Sequence, residues 1–446
     1  MSPGPDAGAA PVNRQTDRQS CQNDAAARNH PPVPRHAPSA RRPARSVVHQ
    51  GATYPEPVPA AAPSDEGRPL TIGLLLDDGL DRPDGVQQYV LALARCLTAR
   101  GHTVHLVAST TRRTDLPNLH VLGRHLGVRV NGNVVRTPLP ASAASVRRLL
   151  AEVPFDVLHV QLPHSPVLTG RVVRRADRRV AVVGTFLILP ESTRVALATR
   201  ALGLLERRTL RRFHEVIALS EPAGEFARRA FGVGSTAIGM PLDLSAFPAG
   251  AVRPTGPDGA SVVFLGRLVE RKGPRELVAA LALMARMRLT DRPWTLTLAG
   301  GGPLDDELRR TVAAEGLTDR VRMPGFVAET QKAALLAGAG LVVRPSTGGE
   351  SFGISVVEAL ACAGGPVLAG DNAGYRATMA GLEDQLVDAT DTPAFARALA
   401  RWIDAHDDER TAAVARQRAA VHRFDADLVM DQVEAVYRRA VRAADR

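Results

Sequence analysis

From residue 70 onward, short wholly apolar runs alternate with stretches whose apolar positions recur every three or four residues. Leu70-Thr-Ile-Gly-Leu-Leu-Leu76 is of strand length and suits a parallel strand buried on both faces. A loop with Asp77, Asp78, Asp81, Pro83 and Asp84 follows. Val86, Tyr89, Val90, Leu93 and Leu97 then fall at helical spacing, and Gly101 stands where a helix stop precedes a second strand at 102–107. This is a βαβ opening. Apolar strands at 157–160, 180–183 and 216–219, alternating with helical segments, continue it as a doubly wound parallel sheet.

Between Pro241 and Gly259 the chain becomes rich in Pro and Gly, which marks a linker, and a second series begins. Its strands are expected at 261–265, 295–298, 321–323, 341–343 and 366–369, and its helices at 275–286, 304–314, 328–339 and 353–363. The expected fold is α/β, with two Rossmann-like doubly wound domains, 69–245 and 246–425, facing a cleft at the carboxyl ends of their strands. A last helix, 426–446, carries Val433, Val436 and Val441 as apolar surface. Residues 1–68 are rich in Pro, Ala, Arg and Asp and lack periodicity, the composition of a disordered tail. Arg41, Arg42 and Arg45 cluster within it.

The densest candidate chemistry is Gly348-Gly-Glu-Ser-Phe-Gly-Ile-Ser-Val-Val-Glu358. Glycines precede a helix with Ile354, Val357 and Leu360 on its apolar face, so the amides of Phe352, Gly353, Ile354 and Ser355 lie at a helix N-terminus, a site for phosphate. Glu350 in the loop and Glu358 two turns along would suit a sugar and a ribose; two ordinary glutamates beside a capped helix is the bland alternative. Arg267, in Phe264-Leu-Gly-Arg267, and Lys272, in Arg271-Lys-Gly-Pro274, follow the second domain's first strand, where two cations can close on a diphosphate. The bland reading is surface charge. Leu298-Ala-Gly-Gly-Gly-Pro-Leu304 is by itself ordinary turn chemistry. In Pro83-Asp-Gly-Val-Gln-Gln88, Gly85 lets backbone approach a ligand, while Asp84 either faces that ligand or caps the helix.

Together, the Gly-Val-Gln loop, Phe-Leu-Gly-Arg with Arg-Lys-Gly, and Gly-Gly-Glu-Ser-Phe-Gly with its second Glu eight residues on resemble the family 4 glycosyltransferases, especially those similar to phosphatidyl-inositol mannosyltransferases. The likeness runs from about Leu70 to the end and is loosest between Asn118 and Leu242. It implies a GT-B fold, retaining transfer of a hexose to a lipid, glycan or small-molecule acceptor, a GDP- or UDP-sugar as co-substrate, and no cofactor or obligatory metal. It further implies that Arg267 and Lys272 hold the donor diphosphate, Glu350 the sugar hydroxyls and Glu358 the ribose. Phe352, Gly353 and Ile354 give backbone contacts, and Gly85 lies near diphosphate and acceptor. The sequence departs from the family where a Thr-Phe-His segment is usual: it reads Gly184-Thr-Phe-Leu-Ile-Leu-Pro190, with Leu187 in place of the His. His159 and His164 are candidates to compensate; the alternative is a degenerate protein that binds the nucleotide-sugar without turnover. The usual Asn-Gly near the linker is replaced by Met240-Pro241. Asp425-Ala-Asp427 matches a metal-nucleotide spacing but opens a helix, where acids suit the dipole.

Composition narrows the partners. Cys21, Cys96 and Cys362 fit neither a disulfide framework nor a zinc site. No run of about 18 apolar residues occurs and no apolar leader is readable, so a cytoplasmic protein with at most peripheral membrane contact is expected. The net charge of +10 suits an anionic membrane face, a phosphorylated substrate or nucleic acid. Aromatic content of 4% and the lack of a recognition motif argue against nucleic acid. Lysine occurs only at 272 and 332, so the excess is arginine, a bias that GC-rich coding also produces. Arginines interleaved with Val, Ala and Leu at 171–179 and 194–212 suit an anionic leaflet or, equally, a solvated helix face. The oligomeric state is not readable.

Overall fold

The computed structural model describes residues 67–446 apart from 82–83, 131–132, 140, 164, 188, 190–192, 248–250 and 254–258. The segment read as a tail, with Arg41, Arg42 and Arg45, lies outside the described residues up to 66; its last residue, Arg68, pairs with Asp156 at 2.9 Å. The strands of the first half are β1 (Thr71–Leu75), β2 (Thr103–Ala108), β3 (Leu119–Val121), β4 (Arg124–Val130), β5 (Asn133–Leu139), β6 (Val157–Gln161), β7 (Ala181–Phe186), β8 (Glu215–Ala218) and β9 (Thr236–Ala237). Its helices are α1 (Gly85–Ala99), α2 (Ala143–Glu152), α3 (Leu168–Arg175), α4 (Thr193–Leu205), α5 (Arg207–Leu210) and α6 (Glu221–Phe231). The second half runs β10 (Ala260–Leu265), α7 (Pro274–Met287), β11 (Trp294–Ala299), α8 (Asp305–Ala314), β12 (Val321–Gly325), α9 (Glu329–Ala337), β13 (Leu341–Arg344), α10 (Ile354–Cys362), β14 (Val367–Gly370), α11 (Ala373–Thr378) and β15 (Leu386–Val387). Then come α12 (Thr392–Asp404), α13 (Asp407–Val421) and α14 (Ala426–Ala444).

Two parallel sheets result, of order β3-β2-β1-β6-β7-β8-β9 and β12-β11-β10-β13-β14-β15, each flanked by helices. In each the order reverses beside the first strand of its half, which opens a crevice at the carboxyl ends. Central strands are mostly apolar because helices cover both faces: β6 and β7 are buried at every residue. The hairpin β4–β5 is a separate antiparallel pair that the sequence reading passed over. One apolar cluster extends from Leu70, Ile72 and Leu93 through Met240, Leu242 and Phe424 to Phe352, Val356 and Leu360, so the two halves share core. No helix among the described residues is long and apolar enough to cross a membrane.

The C-terminal helix α14 packs on the first sheet with Val429, Met430, Val433, Val436, Tyr437 and Ala440 buried; Val441 is only partly so. At the crossing, Leu242 N donates to Phe424 O and Ala426 N to Leu242 O, both at 2.9 Å. Arg100 holds Asp431 at 2.6 Å and Glu434 at 3.1 Å. Deep in this contact the His159 ring is fully buried, with Nδ1 2.7 Å from the Tyr437 hydroxyl and Nε2 2.5 Å from Thr185 Oγ1.

Burial without an acidic neighbour pushes His159 down to about 3, because the charged ring has no counter-ion there. Burial also lowers His102, His105, His120 and His214, all in the first half of the chain. The unfolded chain takes up these protons near 6.5 and the folded one does not, so this stability is complete above 6.5 and declines as pH falls toward 3. His159 alone should contribute about 1.4 kcal/mol per pH unit in that window. Urea unfolding midpoints against pH should show the decline, and His159→Gln should flatten it; a slope unchanged by that substitution would count against this account.

Candidate functional site

The site is built where the second sheet's strands end. After β10 the chain turns through Gly266 and Arg267, and the Gly-rich turn after β11 lies directly against it: Gly266 N donates to Ala299 O at 2.9 Å and Leu268 N to Gly301 O at 3.0 Å. A Cβ on Gly300, which sits at φ +139°, would fall 1.8 Å from Gly266 O. That turn, ordinary in sequence, is therefore the backbone seat of the Arg267 segment. The chain then makes a 3₁₀ turn at Glu270–Lys272. The turn is clipped to the loop after β13, since Ser346 Oγ donates to Arg271 O at 2.7 Å and Thr347 N to the same oxygen at 3.0 Å.

Two buried carboxylates stand in that loop and on α10, and each is met by one of the chain's two lysines. Glu350 Oε1 is 2.7 Å from Lys272 Nζ, 2.7 Å from Arg271 Nη1 and 3.2 Å from Ser346 Oγ. Glu358 Oε1 is 2.9 Å from Lys332 Nζ, which α9 supplies. Burial lowers the Lys272 ammonium from its ordinary range, with Glu350 opposing that shift. Arg344 closes β13 only 4% exposed, its Nε and Nη2 without hydrogen-bond partners, and burial lowers it while Glu358 and Glu350 act the other way. The sequence reading gave no role to Arg271, Lys332 or Arg344. Lys332 had a signal, its rarity; Arg344 had none, since an arginine at a strand end is usually solvated.

Between the carboxylates, Gly353 is the N-cap position of α10 and Ile354 its first residue. The first amides of a helix have no partners within it, so they point toward any anion placed there. Phe352 turns its side chain inward, edge-on to Phe424 at 5.1 Å, and its carbonyl accepts the Thr378 hydroxyl, which leaves only its amide for a ligand.

Residues of the first half reach this loop. A Cβ on Gly85, the first residue of α1, would lie 3.4 Å from Ile354 Cδ1. Asp84 makes no capping bond; its carboxylate is 3.9 Å from Arg267, whose side chain is 66% exposed. Ser351 Oγ donates to Leu187 O, and Ser220 Oγ donates to Ser351 O, each at 2.5 Å. The structure thus joins Lys272 with Glu350 and Gly85 with Ile354, sets Glu358 apart with Lys332, and leaves Arg267 largely exposed near Asp84. Leu187 meets the loop through backbone, its side chain buried. His159 does not compensate for it, since both ring nitrogens are engaged in the core. His164 and Pro83 lie outside the described residues. Asp425 caps α14 by accepting Asp427 N at 3.0 Å. Among the described residues no three His, Cys, Asp or Glu are grouped to hold a metal.

Residues 83–243 match the family model described as Glycosyltransferase Family 4, and residues 253–419 the model described as Glycosyl transferases group 1. The chain is 35% identical over 379 residues to the phosphatidyl-myo-inositol mannosyltransferase of Mycolicibacterium smegmatis, a match covering 82% of this chain and 93% of that one. It is 36% identical over 380 residues to the enzyme of the same name from Mycobacterium leprae, covering 82% and 96%. Of solved structures, HepE from Anabaena in complex with UDP and glucose aligns over 82% of this chain and 98% of its own, at TM-score 0.60 and 20% identity. Sucrose-phosphate synthase from Thermosynechococcus elongatus aligns over 84% and 100%, at TM-score 0.61 and 22% identity. These structural likenesses show the fold, and the sequence matches with the mannosyltransferases show the family: the chain belongs to the family 4 glycosyltransferases.

Proposed function

We propose that this glycosyltransferase moves a hexose, mannose before others, from a GDP- or UDP-sugar to an inositol-bearing lipid or a related acceptor, with retention at the anomeric carbon. The observation that carries the reading is the pairing of each lysine with one of the two motif carboxylates, on either side of the α10 N-terminus. The mannosyl and inositol-lipid identities follow the names of the sequence relatives.

In this reading Arg267 and Lys272, with Arg271 beside them, turn to the donor diphosphate, and the amides of Phe352, Gly353 and Ile354 meet it from the helix end. Glu350, released from its cations, accepts hydrogen bonds from the sugar hydroxyls. Glu358, held by Lys332, accepts them from the ribose. Gly85 leaves room for phosphate and acceptor between the domains. The donor C1–O bond breaks toward the nucleoside diphosphate. The acceptor hydroxyl bonds C1 on the same face and passes its proton to the leaving phosphate oxygen. Developing charge there is met by the helix amides and by cations that binding of the donor has already turned toward it.

A second reading, a donor binder without turnover, is favoured by Leu187 alone. Thermal unfolding with a panel of UDP-, GDP- and ADP-sugars, followed by a transfer assay, separates the two. A donor at about a hundred times its Kd should stabilise by about 2.7 kcal/mol. No shift with any sugar nucleotide removes the donor site; a shift without hydrolysis or transfer selects the second reading. Glu358→Ala leaves Lys332 without its carboxylate and should weaken nucleotide and nucleotide-sugar alike by about tenfold or more. Equal affinities would take Glu358 out of the ribose role.

A further inference from the structure

We infer that Gln161 is a hydroxyl-binding residue of the transfer site, its carboxamide supplying from β6 a polar contact that Leu187 cannot make from the end of β7. The inference deepens the proposed function and rests on it for the presence of a polyol, the donor's sugar or a cyclitol acceptor, in the crevice. Gln161 closes β6 and is fully buried, yet neither its Nε2 nor its Oε1 has a hydrogen-bond partner. Gln87, Gln385 and Gln417 also bury an unpartnered amide atom, but each keeps a bond through the other. A carboxamide left without any loses the hydration of both its groups for nothing, which native proteins seldom bear unless water or a ligand fills the place.

That place is where ligands of such a sheet bind. The first sheet reverses its order between β1 and β6, so the crevice opens at the carboxyl ends of those strands. Alternation along β6 puts Gln161 on the side of Val157 and His159, which α1 and α14 cover. Its register partner on β7 is Thr185, and Leu187 lies two residues further on. At that end α1 begins, with Gly85 against Ile354 at the start of α10. The next residue marks the same spot. Leu162 holds φ +57°, and among the described residues only Asn118 and Arg288 are other non-glycines with positive φ. Asparagine tolerates that conformation and Arg288 caps α7 in it; neither reason applies to Leu162, and such strain collects at functional sites.

A carboxamide donates and accepts at once, so it matches two neighbouring hydroxyls of a sugar or cyclitol. Being uncharged, it binds and orients and moves no proton. The approach of Gly85 to Ile354 and the bond from Ser351 Oγ to Leu187 O lie over this end of the sheet, and their parting admits the substrate to the amide.

The test compares Gln161→Met, which keeps the length and removes both polar atoms, with Gln161→His, which keeps a donor and an acceptor. Urea unfolding of the free protein should give Q161M a higher midpoint than the parent, because a desolvated amide is removed and no bond with it. Its kcat/KM for transfer from GDP-mannose to phosphatidylinositol, or from UDP-glucose should the parent take that donor, should fall by about ten- to a hundredfold. Q161H should recover most of the loss. Affinity for GDP or UDP, which lack the transferred sugar, should be equal in all three by calorimetry. Donor hydrolysis without acceptor that falls alongside transfer assigns the contact to the donor's sugar, and a fall confined to transfer assigns it to the acceptor. A lower urea midpoint in Q161M overturns the inference, since the amide then has a partner in the fold. So does transfer unchanged in Q161M, or an equal loss in both variants. A parent that binds neither GDP nor UDP overturns the proposed function and this inference together, and the titration tells that failure from a failure of Gln161 alone.

Discussion

Glu350→Gln is expected to lower transfer by a hundred- to a thousandfold, on the order of what one lost transition-state contact costs, while the nucleoside diphosphate binds at least as tightly as before. The split follows from the geometry. In the free protein the carboxylate is shared by Lys272 and Arg271, each at 2.7 Å. Glutamine keeps the size of the side chain and its contact with Ser346 Oγ, so the loop should hold its shape. It removes the negative charge that offsets two cations, and those cations then attract a diphosphate more strongly. What is lost is the acceptor for the sugar's hydroxyls, needed as the glycosyl group develops positive charge. Steady-state kinetics with calorimetric titration of the nucleoside diphosphate would read both quantities. A kcat within about threefold of the parent would remove Glu350 from the reaction.

Gly273→Ala should destabilise the protein by about 3 kcal/mol or more and abolish donor-induced stabilisation. Gly273 sits at φ +71°, and a Cβ there would fall 2.0 Å from Pro345 O, a backbone atom that no rotamer change can move. The strained conformation by itself costs about 1 kcal/mol. The clash adds more, and its relief must shift either Lys272, the preceding residue, or the loop that leads to Glu350. Gly101→Ala is the matched control: φ is +85°, but nothing lies within 4 Å of the added Cβ, so only the conformational term applies. Urea unfolding of the two variants, with and without donor, would show whether contact or conformation governs. Equal losses would mean that the fit against Pro345 is looser than described.

Much of this was legible along the chain. The central strands of both sheets are largely apolar runs because they are buried on both faces, and the helix expected over 353–363 is observed as Ile354–Cys362. The hairpin β4–β5 also left a signal, Asn131-Gly132 between alternating residues, which went unread because charged and small positions break its apolar pattern. His159 shows the opposite failure. On an apolar strand it looked available for chemistry, yet its partners Thr185 and Tyr437 are 26 and 278 residues away, and nothing local announces them.

The sequence by itself therefore determined the two α/β series and the glycine-framed carboxylates at a helix start, since periodicity and turn chemistry act within a single element. Only the tertiary structure decided that Lys332 on α9 meets Glu358 on α10, that Arg344 lies buried near both glutamates, that the Gly-rich turn seats Arg267, and that Leu204 and Leu205 face outward among arginines. Those pairings depend on which strands are neighbours and how each helix is rotated on its sheet. Both are settled by the shared core of the whole chain, because the apolar area buried there outweighs any one local preference.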